Sequence, residues 1–243
     1  VVELKIDGGV ARITLADPET GNALGVGMVH ALEDAMKYAG RNPEVCAVVL
    51  DAKGPVFSSG APRELLLQLS RGEVRPADIL LPKVLLDCPV PIVAALAGHA
   101  TGGGFALGLA ADVLVLAAES RYGFTFMNMG FTPGMGTTAL CEHFLPAAVA
   151  HELLYSGELR RGRDFAGTGV NHVVPAEHVL SRAVDVATRI AQKPRPAVEA
   201  LKRALTLPRR QAFEASLTHE SFMHGLTFGA AGASRQIEDE YVE

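Results

Sequence analysis

The segment "PIVAALAGHATGGGFALGLAADVLVLA", residues 91–117, constrains the fold more than any other. It reads as an apolar strand, a glycine turn, a short helix from about residue 103 to 111, and a second apolar strand. Strand–helix alternation of this kind continues over the first three quarters of the chain and implies an α/β core. Gly102, Gly103 and Gly104 cost helix stability and add no side chain to a core, so their backbone is expected to approach something closely.

The other elements follow the same logic. "VVELKIDGGVARITLAD" reads as two alternating strands joined at Asp7-Gly8-Gly9, a hairpin signal. A helix follows over "NALGVGMVHALEDAMKYAGRNP", then a buried strand at "VCAVVLDAKG". The loop "GPVFSSGAPRE" leads into the helix "RELLLQLSRG", and another helix ends near Leu86. "GFTPGMGTTALCEHF" is loop then helix, and "GVNHVVP" is a last short strand. After Glu177 the chain reads as helix, in segments broken at Pro194, Pro196 and Pro208. The expected division is a core over 1–190 and a C-terminal helical region over 191–243.

Composition excludes several classes. Half of the 243 residues are hydrophobic and a fifth are charged, which is globular rather than disordered. A formal net charge of −5 with no basic block argues against non-specific nucleic-acid binding. Apolar runs are broken by Gly, Pro or Asp before reaching a membrane span, and no signal-peptide pattern opens the chain. The expectation is a cytoplasmic protein; the start at Val1 rather than Met suggests trimming or excision from a longer chain. Cys46, Cys88 and Cys141 form no disulfide framework and no CxxC, which suits a reducing compartment. The eight histidines do not cluster at ligand spacing, so no metal site is expected. "GMGTTA" fits GxGxxA by letter, but follows a Thr-Pro loop rather than a strand and has no acidic ribose partner.

Two loops carry the chemistry. "FSSGAP" and "GHATGGG" each follow a buried strand and precede a helix. Each can present a backbone N–H at a helix N-terminus, where donors are unpaired. Two such donors converging on one point form an oxyanion hole, which serves a thioester becoming an enolate. The alternative is a pair of tight turns that merely require glycine. Lys83 sits among Leu80, Leu81, Leu85 and Leu86; it either snorkels to solvent, pairs with Asp87 one turn on, or enters a pocket. His224 lies between Phe222, Met223 and Phe228, on an apolar helix face where histidine is more often structural than catalytic. His99 and Tyr122 read as packed beside the pocket turns. Arg63, Arg71, Arg75, Arg160, Arg161 and Arg163 read as solvated surface, or as contacts for an acidic carrier protein or a phosphate.

With "FSSGAP", "GHATGGGFALGLAADV", "MGFTPGMGTT" and the early "GNAL" in this order and spacing, the chain resembles the enoyl-CoA hydratase/isomerase, or crotonase, superfamily over nearly its whole length. The resemblance implies an α/β crotonase fold, a superhelical core of repeated ββα turns with a C-terminal helical trimerisation region. It also implies an acyl-thioester substrate, with the N–H groups of Ala61 and Gly103 as the oxyanion hole. A hydratase of this family has one glutamate two residues after the glycine triplet and another seven residues before the Pro of the PG turn. Those positions are Ala106 and Phe126 here, so both carboxylates that handle water are missing.

"SSGAPRELL", "LPKVLLDC", "GFTPGMGTT" and "SFMHGLTF" are similar to the subfamily that decarboxylates 3-methylglutaconyl groups on an acyl carrier protein in polyketide β-branching. The subfamily implies Lys83 and His224 in the active site, Lys83 donating a proton and His224 orienting the carboxylate or sharing that task. Ala106, Phe126 and Phe105 are the expected apolar lining. No cofactor is expected; the substrate rides on carrier-protein phosphopantetheine or on coenzyme A. The implied partners are the carrier protein and two further copies of the chain, as a homotrimer or a dimer of trimers. The rivals are another crotonase-type isomerase, hydratase or thioesterase, with Glu64 as a distant carboxylate, and a non-catalytic scaffold.

Overall fold

A computed structural model of the chain describes residues 1–74, 81–228 and 232–241. Strands β1 (Val2–Asp7) and β2 (Val10–Leu15) pair antiparallel with Asp7 opposite Val10, a two-residue hairpin at Gly8-Gly9. Both glycines have positive φ, 53° and 81°, as the favoured hairpin turn requires. Helix α1 (Val26–Arg41) follows.

The core then repeats a unit of strand, strand and helix three times. The first unit is β3 (Ala47–Ala52), β4 (Val56–Ser58) and α2 (Arg63–Ser70). After α3 (Leu81–Asp87) come β5 (Ile92–Leu96), β6 (His99–Thr101) and α4 (Gly103–Leu109). The third is β7 (Val113–Ala117), β8 (Arg121–Gly123) and α5 (Thr137–Phe144). The first strand of each unit enters a six-stranded sheet of order β1-β2-β3-β5-β7 and then a last strand at His172–Val174; the second enters a four-stranded sheet of order β4-β6-β8 and then a strand at Leu159–Arg161. Helix α6 (Ala147–Ser156), β9 (Leu159–Arg161) and β10 (His172–Val174) complete this part.

Alternation along the strands divides the core in two. Ile13, Leu15, Val48, Leu50, Ile92 and Leu96 face inward against α1 and α4. Val10, Ala47, Val49, Val93 and Val115 face the other way and are covered by Val179, Ala183 and Ala187 of α7 (Ala176–Ala191).

The C-terminal region departs from the reading of its prolines. Pro194 and Pro196 do bound a helix start, but α8 (Arg195–Thr227) runs straight through Pro208. Proline removes one N–H and disfavours a helix interior. Tertiary anchoring outweighs it here, because Lys202 before Pro208 and Arg209 after it both bind the Asp112 carboxylate, Arg209 at 2.8 Å. α9 (Ala233–Glu240) then packs against α2. Among the described residues, no helix is long and apolar enough to cross a membrane.

Candidate active site

The β4–α2 and β6–α4 turns touch. A Cβ on Gly104 would lie 2.2 Å from the Ser58 carbonyl oxygen, so only glycine lets the two backbones meet. A Cβ on Gly60 would stand 3.1 Å from the Gly103 nitrogen, and Gly60 has a φ of +84°. This answers what the glycine triplet approaches: the neighbouring turn.

A polar clamp fixes the pair. Ser58 Oγ donates to the Asn22 carbonyl (2.9 Å) and accepts from Gly60 N–H (3.2 Å). Asn22 Nδ2 donates to the carbonyls of Lys53 (2.9 Å) and Val56 (2.7 Å). Thr101 Oγ1 donates to the Ser59 carbonyl (3.1 Å), and Tyr241 OH donates to that of Ala61 (3.2 Å). The N–H groups of Ala61 and Gly103 have no hydrogen-bond partner among the described residues. Both residues border one cleft of about 860 Å³, also lined by Leu66, Phe126, Phe131, Met135, His224 and Phe228.

His224 is buried, and its Nε2 lies 2.9 Å from the Thr132 carbonyl. A carbonyl oxygen only accepts, so Nε2 carries a proton. Nδ1 is buried with no partner among the described residues. Burial holds the ring below the ordinary imidazole range, against the Thr132 and Pro133 carbonyls, which favour the charged form. Phe228 packs on the ring with centroids 5.1 Å apart.

Glu220, one turn before His224 on α8, carries a role that the sequence reading missed. Its buried carboxylate accepts from Gly136 N–H (2.7 Å), Thr138 N–H (3.1 Å) and Thr138 Oγ1 (2.7 Å). Burial raises its carboxyl above the usual range, and the hydrogen bonds from Thr138 and Gly136 oppose that. The amides of the GxGxxA-like turn are thus occupied by a protein carboxylate. The only sequence signal was its spacing of four from His224.

Three expected positions are corrected. Lys83 is not in the cleft: its side chain is 41% exposed, and its ammonium pairs with Asp87 at 2.9 Å, with Glu214 3.9 Å away. It borders a second, shallower depression beside α1, because Leu81, Leu85 and Leu86 take the buried face of α3. Of the three outcomes open to that lysine, pairing one turn on is the one observed. Phe105 packs into the core against Tyr122, Phe124 and Phe165 rather than into the cleft. Ala106 is fully buried and does not border the cleft either. Phe126 does, with its Cε1 3.4 Å from where a Gly102 Cβ would be.

The remaining singled-out residues divide by place. Glu64 is exposed and outside the cleft, whose bordering carboxylates among the described residues are the exposed Glu19 and Glu240. Arg63, Arg121 and His99 stand at the mouth; His99 Nδ1 accepts from Arg121 N–H (2.9 Å). Arg160 pairs with Glu152 at 2.7 Å; Arg71, Arg161 and Arg163 do not border the cleft, and Arg75 lies outside the described residues. Tyr122 is fully buried, its OH donating to the Leu96 carbonyl (2.6 Å). Among the described residues, no group of three His, Cys, Asp or Glu is arranged to hold a metal ion.

Such a spiral of ββα units, with the β4–α2 and β6–α4 turns in contact, defines a class of fold. Residues 5–243 match the enoyl-CoA hydratase/isomerase family, and the chain belongs to it, with the crotonase fold. Within that family it is similar to bacillaene synthase decarboxylase PksI of Bacillus subtilis, 36% identical over 243 residues, 99% of this chain and 98% of that protein. The ECH2 decarboxylase domain of CurF from Lyngbya majuscula superposes with a TM-score of 0.93 at 35% identity, covering 99% of both chains. A chain from a dehydratase/decarboxylase enzyme couple involved in polyketide β-branching superposes with a TM-score of 0.96 at 35% identity over 100% of both.

Proposed function

We propose that the protein decarboxylates a 3-methylglutaconyl-type thioester on an acyl carrier protein to a 3-methylcrotonyl-type enoyl thioester, as a step of polyketide β-branching. The observation that carries this reading is that two unengaged donors, Ala61 N–H and Gly103 N–H, border one cleft lined by Phe126, the position to which the family resemblance assigns a hydratase glutamate. The similarity to named decarboxylases supports it.

The electron flow needs no cofactor. The bond from the γ-carbon to the carboxylate breaks, and carbon dioxide leaves. The electron pair moves through the conjugated double bond to the thioester oxygen, forming a dienolate. That oxygen accepts from Ala61 and Gly103, a type of contact whose loss raises a barrier by about 2.7–4 kcal/mol. A proton then adds to carbon. The apolar wall of Phe126, Phe131 and Phe228 favours the dispersed dienolate charge over a localised carboxylate. His224 is the titratable group we assign to orienting the carboxylate and delivering the proton. Once the substrate's negative charge lies beside the ring, its pKa rises and Nδ1–H forms.

Arg63 and Arg121, both exposed at the mouth and without an ion pair among the described residues, suit the phosphate of a phosphopantetheine arm. We also propose that the C-terminal helices assemble a homotrimer, because α8 leaves Leu201, Leu205, Phe222 and Leu226 at least 60% exposed. Light scattering reads this directly; a monomer would refute it.

Product NMR after reaction in deuterated water tests the proposed chemistry. The expected product is an enoyl thioester carrying one new deuterium and no hydroxyl. Deuterium exchange into an intact glutaconyl group, with its carboxylate retained, would instead identify an isomerase.

A further inference from the structure

Among the described residues, only Asn22 and Met135 combine a side chain with positive φ, 52° and 61°. Asn22 is explained by its clamp on the β4 turn, with Oδ1 accepting from Asp17 N–H (2.8 Å) and Nδ2 engaged as above. Asparagine also tolerates this region. Met135 has no side-chain hydrogen bond to hold it there.

The turn around Met135 is held instead. Glu220 grips Gly136 and Thr138 on its C-terminal side, and His224 grips the Thr132 carbonyl on its N-terminal side. Gly134 and Gly136 let rings of α8 close on the turn: a Cβ would lie 2.6 Å from His224 Cε1 at the first and 2.1 Å from Phe213 at the second. The residue left between these anchors projects into the cleft. A Cβ on Gly103 would come within 2.8 Å of Met135 Sδ and 3.5 Å of Cε, so the thioether lies against the residue that supplies one donor.

We propose that Met135 is the specificity-determining residue of the cleft, filling the space beside the Gly103 donor and restricting the site to short acyl groups. This rests on the reading of the cleft as an acyl-thioester site. The cleft of about 860 Å³ must also take the pantetheine arm, so acyl length is set by what closes the space beside the Gly103 N–H, where the thioether lies. An unbranched, polarisable side chain suits that task, since it closes against a small branched group without a fixed shape. Glu220 is the positioning residue for Met135.

Saturated acyl-pantetheine thioesters test this apart from the reaction, because they carry no carboxylate to lose. Calorimetry would compare butyryl, hexanoyl and octanoyl pantetheine on the full chain, on Met135→Leu and on Met135→Ala and Met135→Gly. Glycine relieves the positive φ and so protects folding. Wild type and Met135→Leu are expected to favour butyryl; Ala and Gly should shift the octanoyl-to-butyryl affinity ratio by roughly tenfold or more. The same chain-length profile in all four proteins overturns the role of Met135 while leaving the acyl site intact. Failure of every thioester to bind wild type overturns the acyl reading and this inference together.

Discussion

Glu220 and His224, one turn apart on α8, hold the two ends of a single loop: Glu220 accepts from Gly136 and Thr138, and His224 donates to the Thr132 carbonyl. The loop between them lines the cleft beside the Gly103 donor. The C-terminal region therefore shapes a site whose donors come from the spiral.

Removing the Glu220 carboxylate should loosen that loop. Glu220→Ala leaves buried N–H donors unpaired and is expected to lower stability by about 2–4 kcal/mol. Glu220→Gln turns an NH₂ donor toward existing donors and should also destabilise. Urea unfolding of both variants, beside turnover, checks this; wild-type stability in Glu220→Ala would mean the carboxylate does not hold the turn.

The histidine sets a pH dependence. Burial depresses the His224 pKa, so the free enzyme holds a neutral ring near pH 7. If the imidazolium engages the substrate carboxylate, kcat/KM should rise as pH falls below about 6.5, the unperturbed value. Stability moves the other way. The unfolded state takes up the proton first, so this group's contribution is full above the unfolded pKa and is lost as pH falls toward the depressed folded value. His224→Gln should flatten both trends and cut turnover by about 100-fold or more. An unaltered pH–rate profile in the variant would remove His224 from the chemistry.

Lys83 gives an opposite expectation. As an exposed lysine paired with Asp87, its removal should change stability by less than about 1 kcal/mol and leave turnover close to wild type. Steady-state kinetics of Lys83→Ala decide the matter. A loss of orders of magnitude in a folded variant would mean that the ammonium reaches the cleft during turnover.

Asp112 anchors α8 through Lys202 and Arg209, whose side chains are almost fully buried. Burial lowers the Lys202 pKa, and Asp112 opposes that shift. Asp112→Asn leaves two buried cations without their counter-charge and should cost about 3–5 kcal/mol. Thermal unfolding measures it; a change below 1 kcal/mol would contradict the anchoring role.

The long strands of the large sheet, the hairpin at Gly8-Gly9 and the helices α1, α2, α4 and α5 were legible in the chain, because periodicity and turn residues mark them locally. The four strands of the second sheet were not read as a sheet. Each has only three residues, too few for an alternation pattern, and their pairing is set by contacts more than 20 residues apart, such as Ala100 with Tyr122. The two touching turns, "FSSGAP" and "GHATGGG", were legible because glycine at a strand–helix junction has a local cause, whereas Ala61 and Gly103 within them came from the family resemblance. Lys83, Phe105 and Ala106 were misplaced because a motif fixes position along a chain, whereas the direction of a side chain depends on which helix face is buried. Glu220 escaped notice because its partners lie more than 80 residues away.

Intact-mass analysis of a 3-methylglutaconyl-loaded acyl carrier protein, incubated with the purified enzyme, addresses the proposed reaction most directly. The expected result is loss of one carbon dioxide from the loaded carrier, abolished or strongly slowed in His224→Gln. An unchanged mass, or a gain or loss of water in its place, would contradict the decarboxylase reading.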